Sequence, residues 1–157
     1  MPLYVTGLPG SGKSAVGEIL KGDFGYDVID FDDLISVELQ KGFNRVLRDN
    51  GFVELQHVEG RLLKRFKKFD KKIVVCLGVV SNISLFEGKI VYIKISKDKF
   101  IQRIKKVSQK IKDMEKIYEN VHKVFSQHAD LVISSENKTK FEIARIIDDF
   151  YRREFNK

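Results

Sequence analysis

The sequence predicts an α/β protein in three layers, α/β/α, with a five-stranded parallel sheet between two layers of helices. Short apolar segments alternate with helical segments along the chain, which is the order typical of parallel sheets. These segments are continuously apolar, as in strands that are covered on both faces. The first segment leads through a glycine-rich turn into a helix. The length of 157 residues fits one domain, so we expect residues 1–157 to form a single domain.

The five predicted strands are short apolar runs that end in polar, charged or glycine residues. They are Leu3–Thr6, Val28–Asp30, Lys72–Leu77, Ile90–Ile95 and Leu131–Ile133. No internal repeat, low-complexity tract or linker interrupts the alternation of elements. This regular order favours one continuous sheet.

The predicted helices lie between and after these strands. Four of them are about Lys13–Lys21, Asp32–Gln40, about Gly51–Lys68 and about Lys138–Phe155. A turn is expected at Gly42. Two more helices separate the fourth and fifth strands, and the first of these begins after Ser96, a residue type that caps helix N-termini.

Apolar side chains at helical spacing define the faces that we expect to be buried. In the helix after Ser96 they are Phe100, Ile101, Ile104, Val107 and Ile111. In the next helix they are Met114, Ile117, Val121 and Phe125. In the closing helix they are Phe141, Ala144, Ile147 and either Phe150 or Tyr151.

The chain carries a formal net charge of +7, with 32 % charged and 43 % hydrophobic residues. The hydrophobic fraction is sufficient for an ordered core. The basic excess allows a nucleic acid, an anionic surface or an anionic small ligand as partner. In Arg61–Lys72, however, basic residues fall between apolar residues at helical spacing, which is typical of a solvated helix face. We therefore do not expect a nucleic-acid partner.

Other features of the sequence concern the cellular compartment. No apolar run approaches the length that spans a bilayer, so we expect no membrane partner. The N-terminus enters a strand-like run at once, without the pattern of a signal peptide. The one cysteine, Cys76, cannot form an intramolecular disulfide and is interpreted as a small buried side chain. These features together favour a cytoplasmic location.

A phosphate-binding loop follows the first strand. Its pattern, Gly-x-x-x-x-Gly-Lys-Ser, is complete and comprises Gly7, Leu8, Pro9, Gly10, Ser11, Gly12, Lys13 and Ser14. Glycines let backbone amides approach phosphate oxygens, and the following helix N-terminus adds a partial positive charge. We expect Lys13 to reach the β- and γ-phosphates, Ser14 to ligate Mg²⁺, and Ala15 to complete the nucleotide contacts. The alternative is a glycine-rich turn without a ligand, but the strand before it and the helix after it favour binding of ATP with Mg²⁺.

Acidic residues end the second strand. Asp30, Asp32 and Asp33 lie where ligands of open α/β sheets bind, beyond the carboxyl ends of the strands. One carboxylate can hold Mg²⁺ through water, and a second can accept the proton of an attacking hydroxyl. The alternative is helix capping, because acidic residues in a first turn complement the helix dipole. We expect Asp30 and Asp32 to act in the site and Asp33 to act in capping.

Together these motifs resemble those of the shikimate kinases, within the nucleoside-monophosphate-kinase-like P-loop kinases. The segment Gly7–Gly17 is similar to the first motif of the family, and Ile29–Asp32 is similar to its Asp-x-Asp motif. Ile73–Gly78 matches the third strand and the first glycine of a Gly-Gly-Gly turn. The resemblance implies a P-loop kinase fold with a short helical lid. It also implies transfer of the γ-phosphoryl group of ATP to a hydroxyl or phosphate acceptor.

The resemblance also implies roles for single residues. Asp30 would lie near Mg²⁺, and Asp32 would contact and activate the acceptor hydroxyl. Lys13 and Asp32 are therefore the expected catalytic residues. Arg103 falls where the family has an arginine near the adenine, and Glu59 matches an acidic position of the family.

The chain departs from the family on the acceptor side. Gln56 stands where the family has an arginine, and the Gly-Gly-Gly turn is Gly78-Val79-Val80. A second acceptor-binding arginine is replaced by Val121 or a neighbour, and residues 105–110 lack the Arg-Pro-Leu-Leu segment of the family lid. Losing two hydrogen bonds to a charged group costs about 3–6 kcal/mol, or about 10²- to 10⁴-fold in affinity. We therefore expect an acceptor other than shikimate.

This expectation would change if an arginine reached the pocket from elsewhere, and the candidates are Arg45, Arg48 and Arg61. The residues expected on the acceptor side are Asp32, Gln56, Gly78 and Val79. The leading hypothesis is a small-molecule kinase, a monomer or small homo-oligomer, that uses ATP and an unidentified small-molecule acceptor. The alternatives are a nucleotide-binding sensor or scaffold without efficient transfer, a nucleoside monophosphate kinase and a nucleic-acid-associated ATPase.

Overall fold

Strands and helices alternate throughout a computed structural model, which describes residues 2–65, 73–77, 86–106 and 111–155. The strands are β1 (Leu3–Thr6), β2 (Asp27–Asp30), β3 (Ile73–Leu77), β4 (Lys89–Lys94) and β5 (Leu131–Ser134). The helices are α1 (Lys13–Phe24), α2 (Phe31–Leu39), α3 (Phe43–Arg65), α4 (Lys97–Lys105), α5 (Ile111–His128) and α6 (Lys140–Phe155). In the described part of the chain, none of these helices has the length and apolarity needed to cross a bilayer.

The strands form one parallel sheet in the order β2-β3-β1-β4-β5. Its middle strand is β1, in which Tyr4 lies opposite Val75 of β3 and opposite Ile90 of β4. Every residue of β1 is buried, as expected for a strand with helices on both faces. Because the strands are parallel, the segments that follow β1, β2, β4 and β5 begin at the same edge of the sheet.

Two apolar clusters cover the two faces of the sheet. Neighbouring residues of β1 point to opposite faces, so Tyr4 belongs to one cluster and Val5 to the other. The first cluster holds side chains of α2 to α5, among them Phe100 and Phe125. The second cluster holds side chains of α1 and α6, among them Ile147. Burial of these side chains fixes both helix layers against the sheet.

Two predicted helix boundaries are wrong. The third helix begins at Phe43 rather than near Gly51, so that Gly51 lies in its interior. One interior glycine costs about 1 kcal/mol, which tertiary packing readily offsets. Ile111 was predicted on the same helix as Phe100, but α4 ends at Lys105 and Ile111 begins α5. Apolar periodicity continues across this break and does not reveal it, while Val107 lies outside the described residues.

The predicted burial of Phe141 is also wrong, since its side chain is 48 % exposed. The buried face of α6 is formed by Ile143, Ala144, Ile147, Asp148, Phe150 and Tyr151. Phe141 precedes this face and lies instead beside Phe24 of α1, with ring centroids 5.7 Å apart. Helical spacing predicted the face correctly but not the position at which it begins.

A buried hydrogen bond connects the start of β2 to α6. The Tyr26 hydroxyl donates to Asp148 Oδ1 at 2.6 Å, and Arg152 Nε donates to Asp148 Oδ2 at 3.0 Å. Burial raises the pKa of Tyr26, and the Asp148 carboxylate raises it further, so the hydroxyl keeps its proton. The contact joins residues that are far apart in sequence but adjacent in the second cluster.

Replacing Tyr26 by phenylalanine is expected to lower the free energy of unfolding by about 1.5–3 kcal/mol, because a hydrogen bond to a charged group is lost. Tyr118→Phe is the matched control, since the Tyr118 hydroxyl donates to the neutral carbonyl of Ile95 at 2.8 Å. Its expected cost is about 0.5–1.5 kcal/mol. Urea denaturation measures both values. Equal costs, or a larger cost for Tyr118→Phe, would contradict the importance of the charged acceptor.

His122 of α5 is packed against aromatic neighbours. Its ring stacks on that of Tyr118, with centroids 5.3 Å apart and an interplanar angle of 12°. Its Nδ1 atom lies 3.1 Å from the Tyr92 hydroxyl. Burial lowers the pKa of His122, and the charge of Lys94 lowers it further while that of Glu119 opposes the shift. The folded state therefore favours the neutral ring.

This preference predicts a pH dependence of stability. The stabilisation that comes from the neutral His122 ring is fully present above the pKa of about 6.5 that histidine has in the unfolded state. It is lost as the pH falls through the lower pKa of the folded state, because the unfolded state binds a proton at His122 more readily than the folded state does. We expect wild-type protein to lose more free energy of unfolding than His122→Gln between about pH 7.5 and pH 5. Denaturation curves at several pH values measure the two slopes, and identical slopes would rule out this role of His122.

Candidate active site

The residues after β1 form a tight loop that ends at the N-terminus of α1. The Ser11 amide donates to the Leu8 carbonyl at 3.0 Å, and the Val16 amide donates to the Gly12 carbonyl at 3.0 Å. Gly10 and Gly12 have φ angles of +88° and +92°, a region that other residues rarely adopt. Among the described residues, no side chain caps α1 and no acidic residue lies in its first turn. The positive end of the α1 dipole therefore has the character of an anion site.

A cleft of about 450 Å³ opens at this loop. It is lined by Pro9, Gly10, Gly12, Lys13, Ser14, Asp32, Arg103 and Lys140. These residues come from segments that follow β1, β2, β4 and β5. The cleft thus lies beyond the carboxyl edge of the sheet, at the end of β1. The strands β2 and β3 lie on one side of β1 and β4 and β5 on the other, and ligands of open α/β sheets bind at such a point.

The structure separates the predicted nucleotide-binding residues into two groups. Pro9, Gly10, Gly12, Lys13, Ser14 and Arg103 line the cleft. Within the described ranges, the residues of this prediction that do not line it are Gly7, Leu8, Ser11 and Ala15. Leu8 and Ser11 belong to the loop but are fully buried, whereas Ala15 is exposed on α1. Their contacts with a nucleotide remain predictions.

Lys13 and Asp32 form an ion pair in the cleft. Lys13 Nζ lies 3.4 Å from Asp32 Oδ2, and Lys13 is only 3 % exposed. Burial raises the pKa of the Asp32 carboxyl, Lys13 opposes this shift, and the charge of Asp30 adds to it. A carboxylate with a raised pKa is a better proton acceptor near neutral pH. The structure thus brings together the two residues predicted to be catalytic.

Asp30 is the N-cap of α2, and its Oδ1 accepts a hydrogen bond from the Asp32 amide at 2.9 Å. The side-chain cap of α2 is thus made by Asp30, while Asp33 lies in the first turn, where an acidic residue complements the helix dipole as expected. Asp33 lies exposed in that turn. Ser14 lines the cleft, whereas Asp30 is not among the described lining residues. Their roles as metal ligands remain predictions.

Some buried oxygen atoms lie at the end of β1, in the phosphate loop and on Asp32, and of these three residues only Asp32 lines the cleft within the described ranges. In the described part of the chain, Thr6 Oγ1, Ser11 Oγ and Asp32 Oδ1 are buried without a hydrogen-bond partner. Such atoms are rare and indicate a place for a water, an ion or a ligand. The described residues contain no group of three or more acidic, histidine or cysteine side chains that could hold a metal. Ser14 and Asp32 line the cleft and carry oxygen atoms that fit Mg²⁺, an ion that binds to few protein oxygens and shares phosphate oxygens and waters.

The remaining predicted residues lie in different surroundings. The Arg103 side chain covers the loop, since a Cβ placed on Gly10 would lie 2.8 Å from Arg103 Cδ. Gln56 is half-buried on α3 and does not line the cleft within the described ranges. Val121 is buried in the first cluster. Gly78-Val79 lies outside the described residues.

Lys140 lines the cleft but was not predicted there. It is the first residue of α6, and its ammonium group would collide with a Cβ placed on Gly12. A basic residue at the start of the helix after the last strand is a weak signal in a chain with many lysines. Its position depends on how the turn after β5 returns to the edge of the sheet, which sequence patterns do not describe.

The glycine loop, its lysine and the facing aspartate, at the carboxyl edge of a parallel α/β sheet, define the class of P-loop kinases. A family model for shikimate kinase matches residues 9–151. The shikimate kinase of Chlorobaculum parvum is 29 % identical over 177 aligned residues, which cover 96 % of this chain and 94 % of that protein. The chain therefore belongs to the shikimate kinase family and is a phosphotransferase.

Solved structures show the same fold. The crystal structure of shikimate kinase from Aquifex aeolicus aligns with a TM-score of 0.77 and 20 % identity, covering 100 % of both chains. Shikimate kinase from Acinetobacter baumannii in complex with shikimate aligns with a TM-score of 0.75 and 19 % identity, covering 99 % of this chain and 95 % of that chain. The predicted α/β P-loop kinase fold is thus confirmed.

Gly12, the N-cap of α1, and Gly22, inside α1, are expected to respond oppositely to replacement by alanine. Gly12→Ala should lower the free energy of unfolding by about 1–2 kcal/mol, because its backbone is left-handed, and should weaken nucleotide binding. Gly22→Ala should raise the free energy of unfolding by about 0.5–1 kcal/mol, because alanine favours the helix more than glycine does. A Cβ at Gly22 meets no atom within 4 Å, so no clash opposes this gain. Urea denaturation and calorimetric titration with Mg-ATP measure both effects. A neutral Gly12→Ala variant would contradict the described loop conformation.

Proposed function

We propose that this chain transfers the γ-phosphoryl group of Mg-ATP to a hydroxyl acceptor other than shikimate. The observation that carries the proposal is that glycines of the phosphate loop, Lys13, Ser14 and Asp32 line one and the same cleft. Phosphoryl transfer depends on positioning and on charge stabilisation, with little covalent chemistry for the protein to do. These residues supply both requirements.

On the donor side, the loop amides and Lys13 would bind the β- and γ-phosphates, and Arg103 would lie near the adenine. Ser14 would ligate Mg²⁺ directly, and Asp30 would hold it through water. When bound, Mg²⁺ would neutralise part of the charge on the two phosphates. Lys13 would then exchange its contact with Asp32 for a phosphate oxygen.

This exchange prepares Asp32 for its own role. Its carboxylate loses the ammonium group that opposes its raised pKa, and burial then favours the uptake of a proton. An acceptor hydroxyl at hydrogen-bond distance would donate that proton to Asp32 as its oxygen bonds to the γ-phosphorus. The bond from the γ-phosphorus to the oxygen that bridges it to the β-phosphate would break, and ADP would leave. Lys13 would thus bind the phosphates of ATP, and its partner Asp32 would take the proton of the acceptor hydroxyl.

The acceptor side supports a substrate without the carboxylate of shikimate. Gln56 can hydrogen-bond a neutral hydroxyl or amide but cannot pair with a carboxylate as an arginine does. Arg45 and Arg48 both approach Asp49, at 3.6 Å and 3.4 Å, and their side chains are more than 60 % exposed. Arg61 is exposed as well. Among the described residues, none of these arginines lines the cleft.

The proposal extends to the organisation of the chain. Residues 1–157 would form a single kinase domain, which alignment over the full length of the Aquifex aeolicus enzyme supports. The short helical lid predicted at residues 105–110 lies largely outside the described ranges, which end here at Lys106 and resume at Ile111. The protein would act in the cytoplasm as a monomer or small homo-oligomer.

Release of ADP from Mg-ATP in the presence of candidate acceptors tests this proposal. We expect a hydroxyl compound without a carboxylate to stimulate release more than shikimate does. Asp32→Asn should lower kcat about 10²- to 10⁴-fold and leave the KM for ATP nearly unchanged. Asp33→Asn, one residue away and exposed, is the matched control and should keep wild-type kcat.

Three results would contradict the proposal. The absence of stimulation by every acceptor, shikimate and nucleoside monophosphates included, would contradict transfer. Shikimate as the best substrate would overturn the acceptor assignment alone. Equal losses for Asp32→Asn and Asp33→Asn would remove the role of Asp32 as proton acceptor.

A further inference from the structure

Lys140 reaches the phosphate loop from the other end of the chain. It begins α6, yet it lines the same cleft as Lys13 and Ser14. Its side chain lies along Gly12, because a Cβ placed there would lie 3.1 Å from Lys140 Cδ and collide with the ammonium group. Gly12 is the N-cap of α1. The ammonium group therefore lies at the positive end of the α1 dipole.

This arrangement is unfavourable without an anion. A cation at a helix N-terminus is repelled by the helix dipole. Burial lowers the pKa of Lys140, and the charges of Arg103 and Lys99 lower it further. Among the described residues, no carboxylate contributes to this balance. Arg103 and Lys140 thus both line the cleft at a helix N-terminus, and the charge of Lys99 also acts on Lys140.

We propose that Lys140 is a second phosphate-binding lysine of the donor site. The identity of its ligand as a nucleoside triphosphate rests on the proposed function. Lys13 lies deep in the cleft beside Asp32, whereas Lys140 enters from the rim beside Arg103. Phosphate oxygens between the two ammonium groups neutralise both cations and complete the hydrogen bonding of the helix N-terminus.

The contact with Gly12 selects a phosphate rather than the base as the partner of Lys140. The amides that follow Gly12 are those of the first turn of α1, and they bind anions. An ammonium group beside Gly12 is therefore placed to share the ligand of these amides. The base of a nucleotide is uncharged, so at this position it would not neutralise the repulsion between Lys140 and Arg103.

Calorimetric titration with Mg-ATP, Mg-ADP and inorganic tripolyphosphate tests this proposal. Lys140→Ala should bind all three ligands about 10- to 100-fold more weakly than wild type, the range of one hydrogen bond to a charged group. Lys140→Arg should restore most of the affinity. Lys138→Ala is the control, since Lys138 belongs to the same connection but donates to the Ser134 carbonyl at 3.3 Å. It should match wild type.

Several outcomes would overturn the proposal. Unchanged or tighter binding by Lys140→Ala would mean that the side chain only fills the empty cleft. A loss for Mg-ATP but not for tripolyphosphate would assign Lys140 to the base. An equal loss in Lys138→Ala would indicate a general effect of charge.

Failure of the proposed function would look different from failure of this inference. Wild-type protein that binds tripolyphosphate but not Mg-ATP would contradict the kinase proposal, while the comparison with Lys140→Ala would still decide the role of Lys140. Wild-type protein that binds none of the three ligands would overturn both. Thermal unfolding without ligand provides the folding control, because removing a cation from a helix N-terminus should not destabilise the variant.

Discussion

The placement of the α1 N-terminus at the end of the central strand is the constraint on which the site depends. β1 pairs on both sides, with β3 and with β4, and all its residues are buried. Its carboxyl end can therefore move little relative to the sheet. The two left-handed glycines then turn the chain so that α1 begins with its positive end facing the cleft. Side chains from the other strand ends are arranged around this point.

Charge is distributed unequally around that point. At the deep end, Lys13 has a carboxylate partner in Asp32. At the rim, Arg103 and Lys140 share the cleft and repel each other. A buried ion pair contributes little net stability, since desolvation consumes most of its attraction, so a phosphate can replace the carboxylate at small cost. In the proposed function, a nucleotide would thus replace the carboxylate partner of Lys13 and would bring an anion to Arg103 and Lys140.

Local patterns predicted most of this architecture. The apolar runs predicted the strands to within a residue at their ends, because a strand covered on both faces has a continuous apolar sequence. The glycine spacing predicted the loop, because few sequences allow backbone amides to surround phosphates. Helix boundaries were harder, since packing offset the cost of Gly51 and periodicity ran across the break before Ile111. The prediction that Phe141 is buried failed for a similar reason, because helical spacing does not determine at which residue a buried face begins.

Lys140 illustrates a different limit of sequence patterns. Its role depends on the connection after β5 that returns the chain to the phosphate loop, and no local pattern encodes such a tertiary contact. Asp30 illustrates the opposite case, in which one residue fits two local interpretations. Its Oδ1 caps α2 in the structure, and by doing so it fixes the backbone that carries Asp32. The cap made by Asp30 is therefore compatible with the predicted site role of Asp32 at this strand end.

Membership of the shikimate kinase family constrains the two halves of the site to different degrees. The donor half depends on backbone amides and a few invariant requirements of phosphate chemistry, so its residues follow the family motif. The acceptor half depends on side chains that discriminate one small molecule from another, and specificity changes when a single charged contact is exchanged. We propose that Gln56 is such an exchange, and the arginines of α3 that could compensate for it are directed to Asp49 or exposed. Under the proposed function, divergence in the acceptor half would leave the phosphoryl-transfer machinery intact and would change only the molecule that receives the phosphate.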